Sequence, residues 1–183
     1  MELSITNDIL VGADIIESPN QNARPENTDI ELLVIHNISL PPGEFGSLAI
    51  RQFFCNELDC NSHPFYEEIA GLQVSAHLLI DREGAITQFV PFSNRAWHAG
   101  ESEFCGRGNC NDYSIGIEME GTDFEPFTES QYLSLAEVTK LLLTAYPAMS
   151  ADKIVGHSDI APGRKTDPGP HFDWGRYRQS VTS

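Results

Sequence analysis

The apolar positions of this 183-residue chain fall into a few short runs and one long periodic stretch. Leu32-Leu33-Val34-Ile35 is continuous and rich in branched side chains, the pattern of a strand buried on both faces, and His36 and Asn37 fall at its end. Val74 to Ile80 reads as a second strand, Asp81-Arg82-Glu83-Gly84 as a tight turn, and Ala85 to Val90 as the hairpin partner. Ser114 to Glu120 alternates, with Ile115, Ile117 and Met119 on one face and Ser114, Gly116, Glu118 and Glu120 on the other. From Glu129 to Ala145 the residues Tyr132, Leu135, Val138, Leu142 and Ala145 recur at steps of three or four, behind Thr128 and Gln131 in a capping-box arrangement. This predicts a helix with one stripe toward a core, stopped by Pro147. A short last helix is predicted from Asp173 to about Gln179, and Ile154-Val155-Gly156 is too short to classify.

Residues 1–29 are turn-rich and lack a sustained period, so they read as an irregular lead-in packed on the domain. Leu40 to Gly71, opening with Pro41-Pro42-Gly43, reads as one long irregular stretch, a length that points to a function such as a cover over a groove, mobile or ordered. No repeat or linker divides residues 1–183, which are expected to form a single domain. Strands mixed with one strong helix predict a mixed α+β (α/β) fold, a central mixed sheet flanked by helices.

Charge narrows the partners. The chain carries 27 acids against 11 bases, a net −16 spread along its length, which excludes nucleic acid as an expected partner because phosphates would be repelled over most of the surface. The sequence has no apolar run of about 18 residues, so no membrane partner is expected. The acidic N-terminal residues do not resemble a secretory leader, and a cytoplasmic location is expected. In a reducing compartment Cys55, Cys60, Cys105 and Cys110 are expected as free, buried or half-buried thiols rather than disulfides or a structural zinc site.

Six histidines are present, and spacing alone does not select a metal site among them. Position singles out His36 and His157, because each directly follows an apolar strand-like run whose rigid edge can project a side chain into a cleft. Asp167 lies ten residues beyond His157, in the stiff segment Lys165-Thr166-Asp167-Pro168-Gly169-Pro170. Two imidazoles and one carboxylate leave a fourth tetrahedral position for water, the arrangement of a catalytic zinc. Glu118 stands in an otherwise apolar strand, where a raised pKa would suit a general base; the competing reading is a sheet face open to solvent, with Glu120 as its equal. Lys165, one of three lysines, offers either a cation to a developing oxyanion or an ordinary exposed charge. His77 reads as structural and, on the residues alone, Trp97 as core.

The stretches Val34 to Gly46, Val74 to His77, Arg95 to Gly100, Cys110 to Glu118, Gly156-His157, Ile160 to Pro162 and Arg164 to Pro170 resemble the cytoplasmic 1,6-anhydro-N-acetylmuramoyl-L-alanine amidases of the AmpD type. The likeness extends from about Ser18 to Arg178. It implies a fold shared with peptidoglycan-recognition proteins and phage-lysozyme amidases, with Zn2+ held by His36, His157 and Asp167. It makes Glu118 and Lys165 the catalytic pair and lines a groove for sugar and peptide with Asn37, Trp97 and His98. The implied reaction is hydrolysis of the amide between the lactoyl group of muramic acid and L-alanine in a small muropeptide, in cell-wall recycling, and a monomer is expected. At Gln73 and Asn109 the family tends to carry arginine, so Arg107, in the same loop as Asn109, is the expected substitute contact for peptide carboxylates. The rival readings are a general peptidoglycan amidase and a non-catalytic muropeptide-binding module. Such modules typically lack a metal ligand, whereas all three are present here with Glu118 and Lys165.

Overall fold

Leu32, Leu33, Val34 and Ile35 are fully buried, as a continuous branched run requires, and they lie inside a six-stranded mixed sheet. The computed structural model describes residues 3–182. Its sheet strands are β1 (Asp14–Ile15), β2 (Leu32–Ile38), β3 (Leu78–Ile80), β4 (Ile86–Gln88), β5 (Ser114–Glu120) and β6 (Ile154–Gly156), in the spatial order β6-β2-β5-β3-β4-β1. β2 is parallel to both β5 and β6, β5 to β3, and β1 to β4, while β3 and β4 form an antiparallel hairpin. Gly84 closes that hairpin at φ +84°, a conformation costly for any residue with a Cβ. The helices are α1 (Ala49–Phe54), α2 (Pro64–Glu68), α3 (Glu129–Ala145), α4 (His157–Ile160) and α5 (Trp174–Thr182). The expected central mixed sheet with flanking helices is what the chain forms.

Two helices close one face of the sheet. Leu33, Ile35, Leu78, Ile80, Ile115, Ile117 and Met119 meet the α3 stripe of Tyr132, Leu135, Val138 and Leu142, together with Tyr177 and Val181 of α5, in one core. Full burial of each such leucine or isoleucine stabilises the fold by about 1.5–3 kcal/mol. α3 starts where the Thr128 hydroxyl accepts the Gln131 N–H and the Gln131 side chain accepts the Thr128 N–H, pairing two amides that a helix start leaves open. The opposite face carries two smaller apolar clusters, one around Leu40, Ile50, Phe54, Leu79 and Phe89, the other around Leu32, Val34, Tyr113, Val155 and Ile160. By alternation His36, Ser114 and Glu118 belong to this second face.

Three expectations are corrected. The first 29 residues are not irregular: Ser4–Thr6 pairs with Ile9–Val11, β1 extends the sheet edge, and Gln21–Ala23 pairs with Asn94–Ala96. Strands of two or three residues are too short to show an alternation. The Leu40 to Gly71 stretch contains α1 and α2, and its Ile50 and Phe54 are buried, so it is a packed wall of the second face. Pro64 does not oppose α2 because it stands in the first turn, where no intrahelical N–H is needed. All four cysteines are free; Cys110 is buried and Cys55 and Cys60 are half-buried, but Cys105 is exposed. It occupies, with Gly106, the positive-φ tip of the hairpin Glu103–Phe104/Arg107–Gly108, where both tip residues face solvent. Among the described residues no helix is long and apolar enough to cross a membrane.

Candidate active site

Strand pairing assembles the site. Glu118 of β5 stands level with His36 of β2 in a parallel pair, so the two side chains project to the same face. Gly156 of β6 stands level with Ile35, which delivers His157, the first residue of α4, beside His36. The loop after α4 returns Asp167 to this point. Ser158 N–H donates to the Asp167 carbonyl at 2.9 Å, and Pro168 packs so closely on Gly156 that a Cβ there would lie 2.7 Å from Cδ of the proline.

Three ligand atoms converge in a nearly equilateral triangle. His36 Nδ1 is 3.0 Å from His157 Nδ1 and 3.1 Å from Asp167 Oδ2, and His157 Nδ1 is 3.0 Å from the same oxygen. Among the described residues this is the one group with metal-ligand geometry. Hydrogen bonding alone leaves it in conflict. His157 Nε2 faces the Ala99 carbonyl at 3.1 Å, and a carbonyl only accepts, so the neutral imidazole has its proton on Nε2 and a bare Nδ1 against a carboxylate oxygen. A cation in the triangle removes the conflict. Tetrahedral zinc, with ligand bonds of about 2.0–2.1 Å, spaces its ligand atoms by roughly 3.3 Å, and the donor set fits it.

Electrostatics prepare the same result. Burial pushes the His36 pKa down to about 4, so its imidazole is neutral at neutral pH. Burial alone would raise the pKa of Asp167, but the close contacts of its Oδ2 with the His157 and His36 rings outweigh it and hold the carboxyl well below the usual range. A neutral imidazole and an ionised carboxylate are the forms that a divalent cation binds.

The two glutamates of β5 part company here. Both are buried. Glu120 is anchored, its two oxygens accepting the N–H groups of Gly46 at 2.7 Å and Arg82 at 3.2 Å. Glu118 Oε2 is the one buried side-chain polar atom without a hydrogen-bond partner among the described residues. Burial, then the charge of Asp167, raise the Glu118 pKa well above the ordinary carboxyl value, while Lys165 pulls it back.

Two adjoining cavities, of about 380 and 500 Å³, share Asn37, Ser39, Lys165 and Asp167. The smaller holds the three ligands, Glu118, Trp97 and His98 against an apolar wall that includes Phe53, Phe65, Ile69 and Leu72. The larger is more polar, with Asp123, Glu125, Arg164 and Thr166, and Asp123 accepts the Asn37 side-chain N–H at 2.7 Å. Trp97 donates its indole N–H to Asn22 at 3.0 Å and is half-buried, so it is not a core residue. The structure therefore brings together His36, His157, Asp167, Glu118, Lys165, Asn37, Trp97 and His98. It does not bring in Arg107, whose guanidinium pairs with Glu31, lies 3.8 Å from the Tyr113 ring centroid and lines neither cavity. Sequence proximity to Asn109 misplaced it, because the hairpin turns that side chain toward Glu31. Three supporting residues escaped the sequence reading: Asp123, Asn111 and the carbonyl of Ala99. A carbonyl has no sequence signal at all.

Fold and cluster define a class first: a mixed α/β protein with a two-histidine, one-carboxylate pocket beside an unpaired buried acid. The family model described as N-acetylmuramoyl-L-alanine amidase (Amidase_2) matches residues 26–170. The chain is 56% identical over 173 residues to the 1,6-anhydro-N-acetylmuramyl-L-alanine amidase AmpD of Escherichia coli K12, covering 94% of each sequence. It superposes on the crystal structure of a selenomethionine AmpD derivative with a TM-score of 0.94 and 53% identity, covering 97% of this chain and 98% of that one. A more distant likeness is to AmiD of E. coli in complex with anhydro-N-acetylmuramic acid-L-Ala-D-γ-Glu-L-Lys, with a TM-score of 0.62, 26% identity, and coverage of 97% and 65%. This chain belongs to the N-acetylmuramoyl-L-alanine amidase family.

Proposed function

We propose that the chain is a zinc-dependent amidase that hydrolyses the bond between the lactoyl group of 1,6-anhydro-N-acetylmuramic acid and L-alanine of muropeptides, working as a cytoplasmic monomer in cell-wall recycling. The observation that carries this reading is the unpartnered Glu118 oxygen beside three converging ligand atoms, in a chain 56% identical to an AmpD over 94% of both. His36, His157 and Asp167 hold the ion. When bound, zinc supplies a Lewis acid and lowers the pKa of a coordinated water toward about 7.

The remaining steps belong to side chains. Glu118 accepts the proton of the attacking water, since its Oε2 has no other partner and its raised pKa brings it closer to working pH than an ordinary carboxylate. The same carboxyl returns that proton to the alanine nitrogen as the C–N bond breaks. Hydroxyl thus ends on the lactoyl carbon and hydrogen on the amine. Lys165, at the junction of the two cavities, offsets the charge growing on the carbonyl oxygen. Asn37 and Trp97 line the groove for sugar and peptide.

The test is Glu118→Ala. Zinc content should stay near one ion per chain, while release of stem peptide from 1,6-anhydromuropeptide, followed by mass spectrometry, falls about 10²–10⁴-fold. Near-normal turnover would remove Glu118 from the mechanism. Equal wild-type rates on intact and anhydro muramoyl substrates would instead favour a general peptidoglycan amidase, and binding without cleavage a recognition module.

A further inference from the structure

We infer that His98 is a positioning residue rather than a substrate contact: backed by Ser114, it fixes His36 in the tautomer that bares Nδ1, while Asn111 holds the outer partners of both histidine ligands. The inference rests on the reading that His36, His157 and Asp167 hold a metal.

Both nitrogens of His98 are already engaged. Nδ1 lies 2.9 Å from His36 Nε2, and Nε2 lies 3.0 Å from Ser114 Oγ. The ring is buried and pressed on Gly116 of β5, where a Cβ would come within 2.4 Å of its Cγ. No nitrogen is left for sugar or peptide. The proton placement follows from counting. Two facing nitrogens share one proton, and a ligand that meets the metal through Nδ1 must keep its own proton on Nε2. His36 Nε2–H then donates to His98 Nδ1, and His98 Nε2–H donates to the Ser114 hydroxyl.

His157 is served by the neighbouring residue. Its Nε2 donates to the Ala99 carbonyl, which also accepts from Arg164 at 2.7 Å. The Asn111 side-chain oxygen accepts the backbone N–H groups of His98 at 3.0 Å and Ala99 at 2.8 Å. One carboxamide therefore fixes the dipeptide whose side chain orients one ligand and whose carbonyl orients the other. Outer partners of this kind set ligand orientation and basicity, and their loss lowers metal affinity roughly 10–100-fold.

The experiment measures zinc affinity of the full chain by competition with a chromogenic chelator. His98→Leu and Asn111→Ala should each weaken binding by about 10–100-fold. His98→Asn, whose amide oxygen stands near the Nδ1 position and accepts the His36 proton, should recover most of the loss. Unchanged zinc affinity in His98→Leu with a raised KM for anhydromuropeptide would overturn the inference in favour of a substrate contact. Should His98→Leu fail to fold, nitrogen-15 NMR of wild-type zinc protein decides: both His36 and His98 are expected as Nε2–H tautomers, and His98 protonated on Nδ1 overturns the inference. A wild-type chain that takes up no zinc would defeat the metal reading itself, a result separable from zinc bound equally well by His98→Leu.

Discussion

The two faces of the central sheet are built from the same strands and obey opposite rules. Under α3 and α5, Ile35 and Ile117 present only apolar surface, and the few polar groups there are paired among themselves, as the buried Thr139 and Tyr177 hydroxyls are at 2.7 Å. One residue further along each strand, His36 and Glu118 present polar atoms to the other face. There each group is oriented from afar: His157 by Ala99, His36 through His98 and Ser114, Glu120 by Gly46 and Arg82. Glu118 Oε2 is the exception. A single step in strand parity separates the larger apolar core from the face that holds oriented polar groups and one unpaired polar atom ready for chemistry. Such a division predicts that damage to one face leaves the other's property intact.

The largest expected effect tests the apolar face. Leu135→Ala empties part of the α3 stripe, where Leu135 is fully buried, and should cost about 2–5 kcal/mol. Calorimetry would register this as a melting point lower by roughly 5–15 °C. Zinc affinity of the folded protein should be unchanged, and a parallel loss of zinc would mean the faces are coupled. Next in size, Lys165→Ala should lower turnover about 10²–10³-fold, the cost of one donor to a developing oxyanion. Its melting point should stay within the small range of surface substitutions, because Lys165 is exposed. A melting shift as large as that of Leu135→Ala would end the proposed separation.

What could be read in the sequence follows the same division. Periodicity is a local property, so the α3 stripe as far as Leu142, its capping box and the alternation of β5 were all legible, although Ala145, expected on the stripe, is exposed; the apolar runs ahead of His36 and His157 pointed at the two histidines that meet Asp167 in the structure. Glu118 and Glu120 were not separable, because the difference lies in the Gly46 and Arg82 amides, 74 and 38 residues away along the chain. His98 was placed in the groove by family resemblance, and its contacts were not legible because its two partners, His36 and Ser114, lie on strands 62 and 16 residues away along the chain. Arg107 was assigned to the groove by nearness in sequence, and the hairpin that carries it sends it to Glu31. The short strands of the first 29 residues and the helices α1 and α2 lie below the length at which a period becomes visible.

The smallest effect has the sharpest sign. In the metal-free protein burial raises the Glu118 pKa above its ordinary value, so the folded state holds this proton more tightly than the unfolded chain does. Stability is then fully kept below the unfolded carboxyl pKa of about 4.3 and declines as pH rises toward the folded value. Glu118→Gln is neutral at every pH and escapes that decline. Metal-free Glu118→Gln should therefore melt above metal-free wild type near neutral pH, by about 1–2 kcal/mol or a few degrees. Near pH 4 both side chains are neutral, each with a buried polar group lacking a partner, and the two proteins should melt together. Zinc loading should narrow the neutral-pH gap, since a cation beside the carboxylate offsets the cost of its charge. A wild type as stable as the variant at neutral pH without metal would show that Lys165 already compensates Glu118, leaving the catalytic face no less settled than the apolar one.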